Sequence, residues 1–486
     1  MKQFFSFEKK DLVFLFLLLL FIGDTVYSYY QHSLAPIDGD LPALVAPSEG
    51  YQQVLHDPFG FRILQTGENC AGSNRYFVHS FIYTYFRSMP VLLQNFMSPI
   101  ASVYNSIALI KTITQVGLIL MLSAYIGLFF KFNRNERMLS IVLIAPLFQA
   151  VGFFEYLAFI DNCITYVLFY ALPTLILSIF LFPYYKAALT GDSGLSFATK
   201  CIWFVLPFIL TFSGPLVSPV LLLLCPSVLF YLFYSHWKKL DQLPFIKRMV
   251  KAVQAIHWQL LFSFGLTTFL SLYSFYIGTH NSENSWEVMS FTERYMKLFE
   301  GLIKITAFSE GLMPIAFAIG CNLFIIQRSK SEDIEKLMKL FYFFLIFACA
   351  YLLLLPLGGY RAYRPYIVRR DTLQPLLWLL FFTWGISTVY ILKNARSIKY
   401  LAYTATVICV CLGYTLKDKI PEYSNACEKQ SMSTIASSSR DCVELSESCT
   451  VMQWSNSTQC GDTHYCAEIL HLWNISPRVI QYHHKP

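Results

Sequence analysis

Four short stretches of this 486-residue chain hold the side chains best suited to chemistry. The first is Pro36-Ile37-Asp38-Gly39-Asp40-Leu41-Pro42, where two carboxylates flank a glycine that permits a tight turn. If the carboxylates converge, Asp38 and Asp40 suit a divalent cation such as Mg or Mn, or general-base work should one pKa be raised. Asp-Gly-Asp is also ordinary turn chemistry, and that reading stays open. The second is the loop Gly358 to Asp371, with Tyr360, Arg361, Tyr363, Arg364, Arg369 and Arg370. Guanidinium groups hold phosphate bidentately, and the tyrosines can line an apolar chain or stack on a sugar. The same residues would serve equally as headgroup anchors at a membrane surface. The third is Phe153 to Asn162, which offers Glu155 and Asp161. The fourth runs from His56, Asp57 and Arg62 to an aromatic-rich segment, Arg75 to Arg87, broken by His79.

The elements that must position these residues are helices in a bilayer. The chain is 55% hydrophobic and 14% charged, with a mean hydropathy of +0.48; soluble proteins carry about 25% charged residues. Apolar runs able to cross hydrocarbon as helices lie near 11–30, 103–130, 138–153, 162–182, 201–213, 217–234, 257–277, 304–326, 339–357, 373–392 and 399–415. The expected fold is therefore an all-α membrane protein with about eleven transmembrane helices. With the N-terminus inside, the inner segments collect 20 Lys and Arg in 77 positions, and the outer side is sparser in both. The loop 31–102, tail 416–486 and the Arg-rich loop then share the outer face. The first span reads as an uncleaved anchor, since Val26-Tyr27-Ser28 is a poor cleavage site. The polar residues of Arg75 to Arg87 make a further span costly, so that segment is expected to lie along the surface as an interfacial helix. Lys111 and Asp24 fall inside spans near their outer ends, where they are expected to snorkel.

Two units follow: a polytopic domain, 1–415, with interfacial helices in its first outer loop, and a small extracytoplasmic tail, 416–486. Five of the 13 cysteines, Cys427, Cys442, Cys449, Cys460 and Cys466, lie in that tail, and Cys70 lies in the first loop. These thiols are expected to form disulfides in an oxidising compartment, with either Cys70 completing a set of six or one thiol left free, in a pairing that spacing does not choose. No GxSxG elbow, HExxH pair, P-loop or dinucleotide fingerprint occurs in a usable context, and the net charge of +7 sits in loops, so nucleic acid is not an expected partner.

This layout resembles the C-type (GT-C) polytopic membrane glycosyltransferases, on Asp38-Gly39-Asp40 soon after the first span, the interfacial segments up to Arg87, the acidic second outer turn and the number of spans. The resemblance implies transfer of a sugar from a polyprenyl-phosphate carrier at the outer face to a glycan, lipid or protein acceptor. Asp38 or Asp40 would be the base or metal ligand, and Glu155 and Asp161 secondary acids. Arg361, Arg364, Arg369 and Arg370 would hold the lipid phosphate. A bacterial inner membrane is the expected location, ahead of the endoplasmic reticulum. An O-antigen-type polymerase or ligase, and a transporter or flippase, remain the alternatives; a transporter would more often show internal repeats and midplane charges, which are not evident here.

Overall fold

The computed structural model describes residues 9–153, 157–191, 197–282, 289–328, 331–358, 364–394, 398–420 and 425–485. Glu155, Tyr360, Arg361 and Tyr363 lie outside them. Among the described residues, seven helices are long and apolar enough to cross a membrane: Lys9–Ser33, Pro99–Phe129, Ile164–Thr190, Val217–Lys238, Trp258–Thr279, Glu332–Gly358 and Gln374–Asn394. Three shorter apolar helices, Lys200–Thr211, Leu312–Gln327 and Leu401–Lys417, accompany them. Phe16, Phe230, Phe269 and Ile346 stand 61%, 67%, 67% and 68% exposed on these helices. Water would penalise such a surface and hydrocarbon does not. The chain is an all-α, multi-pass membrane protein.

Two expected spans depart from their runs. Over 138–153, the helix Arg134–Ile144 starts from an Asn133/Glu136 capping box, tightens into the single turn Ala145–Leu147 and stops. Pro146 cannot continue the backbone ladder, which ends the helix well short of a bilayer's thickness. Over 304–326, the helices Phe291–Phe308 and Leu312–Gln327 are separated at Ser309 to Gly311. Gly311 is pressed against the 150s turn, where a Cβ would lie 2.4 Å from that of Phe153.

The first loop is helical. Leu41–Val45, Glu49–His56 and Phe61–Thr66 lead to Tyr76–Leu93, which packs on Pro99–Phe129. The tail carries a helix, Ala426–Ser437, a second, His464–Leu472, and a parallel pair of strands, β1 (Cys442–Leu445) and β2 (Gln481–His484). Met432, Ile435, Val451, Met452, Ile469, Leu470, Trp473 and Tyr482 are buried at its centre. Two disulfides, Cys427–Cys449 and Cys442–Cys460, tie it together. The expectation of a bridged set of up to six is corrected for the other two. Cys466 is a buried thiol donating to the Met452 carbonyl at 3.5 Å. Cys70 is held in a separate cluster with Ile63 and Ile277, its backbone N–H donating to the His280 carbonyl at 3.0 Å.

Candidate functional site

The loop and the tail meet over the Asp38 turn. Asp38 Oδ1 accepts from the backbone N–H groups of Asp40 and Leu41, both at 3.2 Å, and so starts the helix Leu41–Val45. The same oxygen accepts from the Thr165 hydroxyl at 2.9 Å, and Oδ2 accepts from the Thr165 N–H at 3.1 Å. Burial pushes the Asp38 pKa up to about 6, against the lowering effect of the Thr165 N–H. Asp40 turns the other way and accepts from the Trp454 indole N–H at 2.8 Å. The pair thus engages two different elements, one inside the protein and one in the tail. Gly39 is required by the closeness of that contact, since a Cβ there would sit 2.6 Å from the Trp454 backbone nitrogen.

The tail fastens the turn at two further points. Asn425 donates to the carbonyls of Ser33, at 2.9 Å, and Ala35, at 3.3 Å. Glu428, buried at the junction, accepts from the N–H groups of Ile37 at 3.0 Å and Met452 at 2.9 Å, and from the Tyr104 hydroxyl at 2.7 Å. Burial raises its pKa to about 7.

Beneath the turn lies a set of buried charges. Lys111 is fully buried, donates to the Asn162 carbonyl at 3.1 Å and has Asp161 and Asp38 as electrostatic neighbours. It is therefore enclosed by protein and does not snorkel, which corrects the sequence expectation. Asp161 accepts from the Cys163 N–H at 2.8 Å and from Arg370 Nε at 2.7 Å. Its pKa is raised, burial outweighing the Arg370 guanidinium. Gln374 adds a bond to the Phe159 carbonyl at 3.1 Å, so the Arg-rich loop is anchored on the 157–163 turn.

That anchoring brings together a cavity of about 330 Å³, lined by Arg75, Arg364, Arg369, Asp371 and Tyr170, with Leu216, Leu222 and Leu355 among its apolar walls. Three guanidinium groups face one carboxylate there, and Asp371 is already paired with Arg369. Arg75 Nε and Asp371 Oδ1 are buried with no hydrogen-bond partner. His79, one turn along from Arg75, is held neutral: burial first, then the Arg75 charge, pushes its pKa down to about 3. Tyr166, next to the cavity, has its ring 5.9 Å from that of Tyr170 and has Arg364, Asp40 and Asp371 as electrostatic neighbours. Such a pocket suits an anion joined to an apolar group.

Other expected site residues fall elsewhere. Asp57 caps the helix Phe61–Thr66, accepting from the N–H groups of Phe61 at 2.9 Å and Arg62 at 2.8 Å. Arg62 pairs with Glu68 at 2.7 Å on the surface, and His56 is exposed. None of the three lines the arginine cavity. A divalent cation does not fit the Asp turn, because four N–H and O–H donors already point at the Asp38 oxygens. Among the described residues, the cluster of three potential metal ligands is Cys442, Cys460 and His483, and its two sulfurs are joined to each other. Residues that sequence reasoning passed over include Thr165, Tyr166, Tyr170, Trp454 and Glu428. Lys111 carried a readable signal, a cation alone in a long apolar run; the others resemble ordinary interfacial or tail residues.

No protein-family model, curated protein or solved structure matches this chain.

Proposed function

We propose that the protein is a membrane-embedded glycosyltransferase that takes a sugar from a polyprenyl-phosphate carrier at the face formed by the first loop and the tail. One observation carries this reading: an arginine-lined cavity with apolar walls, beside Tyr166, which has both Arg364 of that cavity and the half-buried carboxylate Asp40 as electrostatic neighbours. Arg75, Arg364 and Arg369 would hold the carrier phosphate, and the carrier chain would leave along the leucines. An acceptor hydroxyl attacks the anomeric carbon and gives its proton to Asp40. The bond from that carbon to the phosphate oxygen breaks, and the three guanidinium groups take up the charge that forms. Asp38, with its oxygens occupied, holds the turn and takes no proton from substrate. Asp161 holds Arg370 and with it the loop. No step passes through a metal.

The orientation has independent support. Asn425 touches Ser33 and Ala35, so the chain leaves its last apolar helix on the face where it left the first. That favours an odd number of crossings, with the short segment 134–147 making one in addition to the seven long and three shorter apolar helices. The bias of Lys and Arg to the other face supports a cytoplasmic N-terminus and an extracytoplasmic tail.

The test is transfer of radiolabel from polyprenyl-phosphate sugars to membrane extract. Asp40→Asn should abolish transfer at unchanged expression, while Asp38→Asn should lower the amount of folded protein. A wild-type chain that transfers no label across a panel of donors and acceptors would remove the reading.

A further inference from the structure

A second cavity, of about 1080 Å³, lies among the membrane helices, slightly larger than the roughly 300–1,000 Å³ usual for ligand pockets. Its long wall is one stripe of the helix Val217–Lys238: Val217, Val220, Leu224, Val228, Tyr231 and His236. That helix has 22 residues. At 1.5 Å per residue it is roughly 33 Å long, about the thickness of a hydrocarbon core. The cavity therefore runs nearly the depth of the bilayer, and Trp203, Phe262 and Phe347 are among the side chains that close it.

Among the described residues, its lysine and histidine lining is confined to one end. Lys200, His236 and His257 all stand at that mouth, opposite the end where Val217 lies. Tyr185 lines the same end, its hydroxyl buried with no hydrogen-bond partner. Ala255 and Ile256 join the rim from the helix Phe245–Gln254. Phe245, Ile246, Met249 and Val250 are exposed along that helix, which also carries Lys247, Arg248 and Lys251. Arg248 is fixed in place, its Nε donating to the Trp237 carbonyl at 2.8 Å. A short basic helix with an uncovered apolar face lies in a membrane interface and attracts anionic headgroups.

We propose that this cavity is a binding site for an anionic phospholipid drawn from the leaflet at the Lys200 face. The acyl chains lie along the Val217–His236 stripe, Lys200, His236 and His257 hold the phosphate, and the Tyr185 hydroxyl meets an ester carbonyl. The basic helix beside the mouth selects a net negative headgroup over a zwitterionic one. The assignment does not depend on glycosyl transfer, because the mouth lies on the face away from Asp40 and the arginine cavity.

The intact protein, reconstituted in equimolar phosphatidylglycerol and phosphatidylcholine and re-extracted in mild detergent, should retain phosphatidylglycerol about fivefold over phosphatidylcholine. Retained lipid is read by mass spectrometry. Lys200→Glu combined with His236→Ala and His257→Ala should erase the preference, and Lys200→Arg should keep it. Leu224→Trp, which fills the cavity, should lower retention of both lipids while leaving the protein monodisperse. Equal retention of the two lipids by wild type overturns the proposal, as does a preference that survives the triple substitution. If the triple variant does not fold, Leu224→Trp decides the matter: undiminished retention there overturns the site.

Discussion

The Asp38 turn and the arginine cavity treat their polar groups in opposite ways. At the turn, Asp38 accepts four hydrogen bonds and Glu428 accepts three, and the tail seals both from water. In the cavity, Arg75 Nε and Asp371 Oδ1 are buried without partners. Buried polar groups are almost always satisfied, so a region that leaves them open is one where something else supplies the partner. Polarity alone does not mark a working site. Asp38 is the more buried of the two carboxylates and its oxygens are occupied, so the proposed reading gives the substrate's proton to Asp40 instead.

The widest separation of the two regions should come from the carboxylates themselves. Asp40→Asn is expected to cut transfer by about 10²–10⁴-fold, the range for loss of a general base, with little change in Tm. Asp38→Ala should instead lower Tm, since each buried donor left without a partner costs about 1–3 kcal/mol. If both substitutions affect only activity, the division between scaffold and site fails.

Next in size is the tail. Replacing Cys427 and Cys449 with Ser should cost the tail about 2–4 kcal/mol and expose it to protease, with the spans left intact.

The sealed junction should also respond to pH. Glu428 and Asp38 have pKa values raised by burial to about 7 and about 6, so the folded protein binds protons more tightly than the unfolded chain. Their contribution to stability is full below the ordinary carboxylate range and is lost as pH rises through 6 to 7. Thermal unfolding in detergent should show Tm falling over that window, with an amplitude on the order of 1–3 kcal/mol. Glu428→Gln should flatten its upper half.

The smallest effect belongs to the open side. Arg75→Ala should raise the donor KM by about tenfold, as expected for one charged hydrogen bond, while Tm holds or rises because a buried unpartnered group is gone.

Apolar runs are local properties, which is why the membrane class and most helices could be read directly from the sequence. Pro146 was also a local signal, but the apolar run around it hid the stop. Long-range pairing is another matter. The first loop and the Arg-rich loop each advertised arginines, but nothing in their spacing says that Arg75 and Arg364 line one cavity while Arg62 turns to Glu68. The contact between Trp454 and Asp40 spans 414 residues and leaves no trace in composition. Cysteine counting found the bridged tail and over-counted its members, because a buried thiol such as Cys466 looks the same in sequence as a bridged one.

Glu428 meets the N–H of Ile37 across 391 residues of chain. During synthesis, the turn that carries Asp40 is therefore finished long before the groups that close it exist. It gains the bonds to Glu428 and Asn425 only once the tail has folded against it. Timing thus becomes a property of the fold: a chain stalled before its last sixth would have its helices but lack the groups that close the turn.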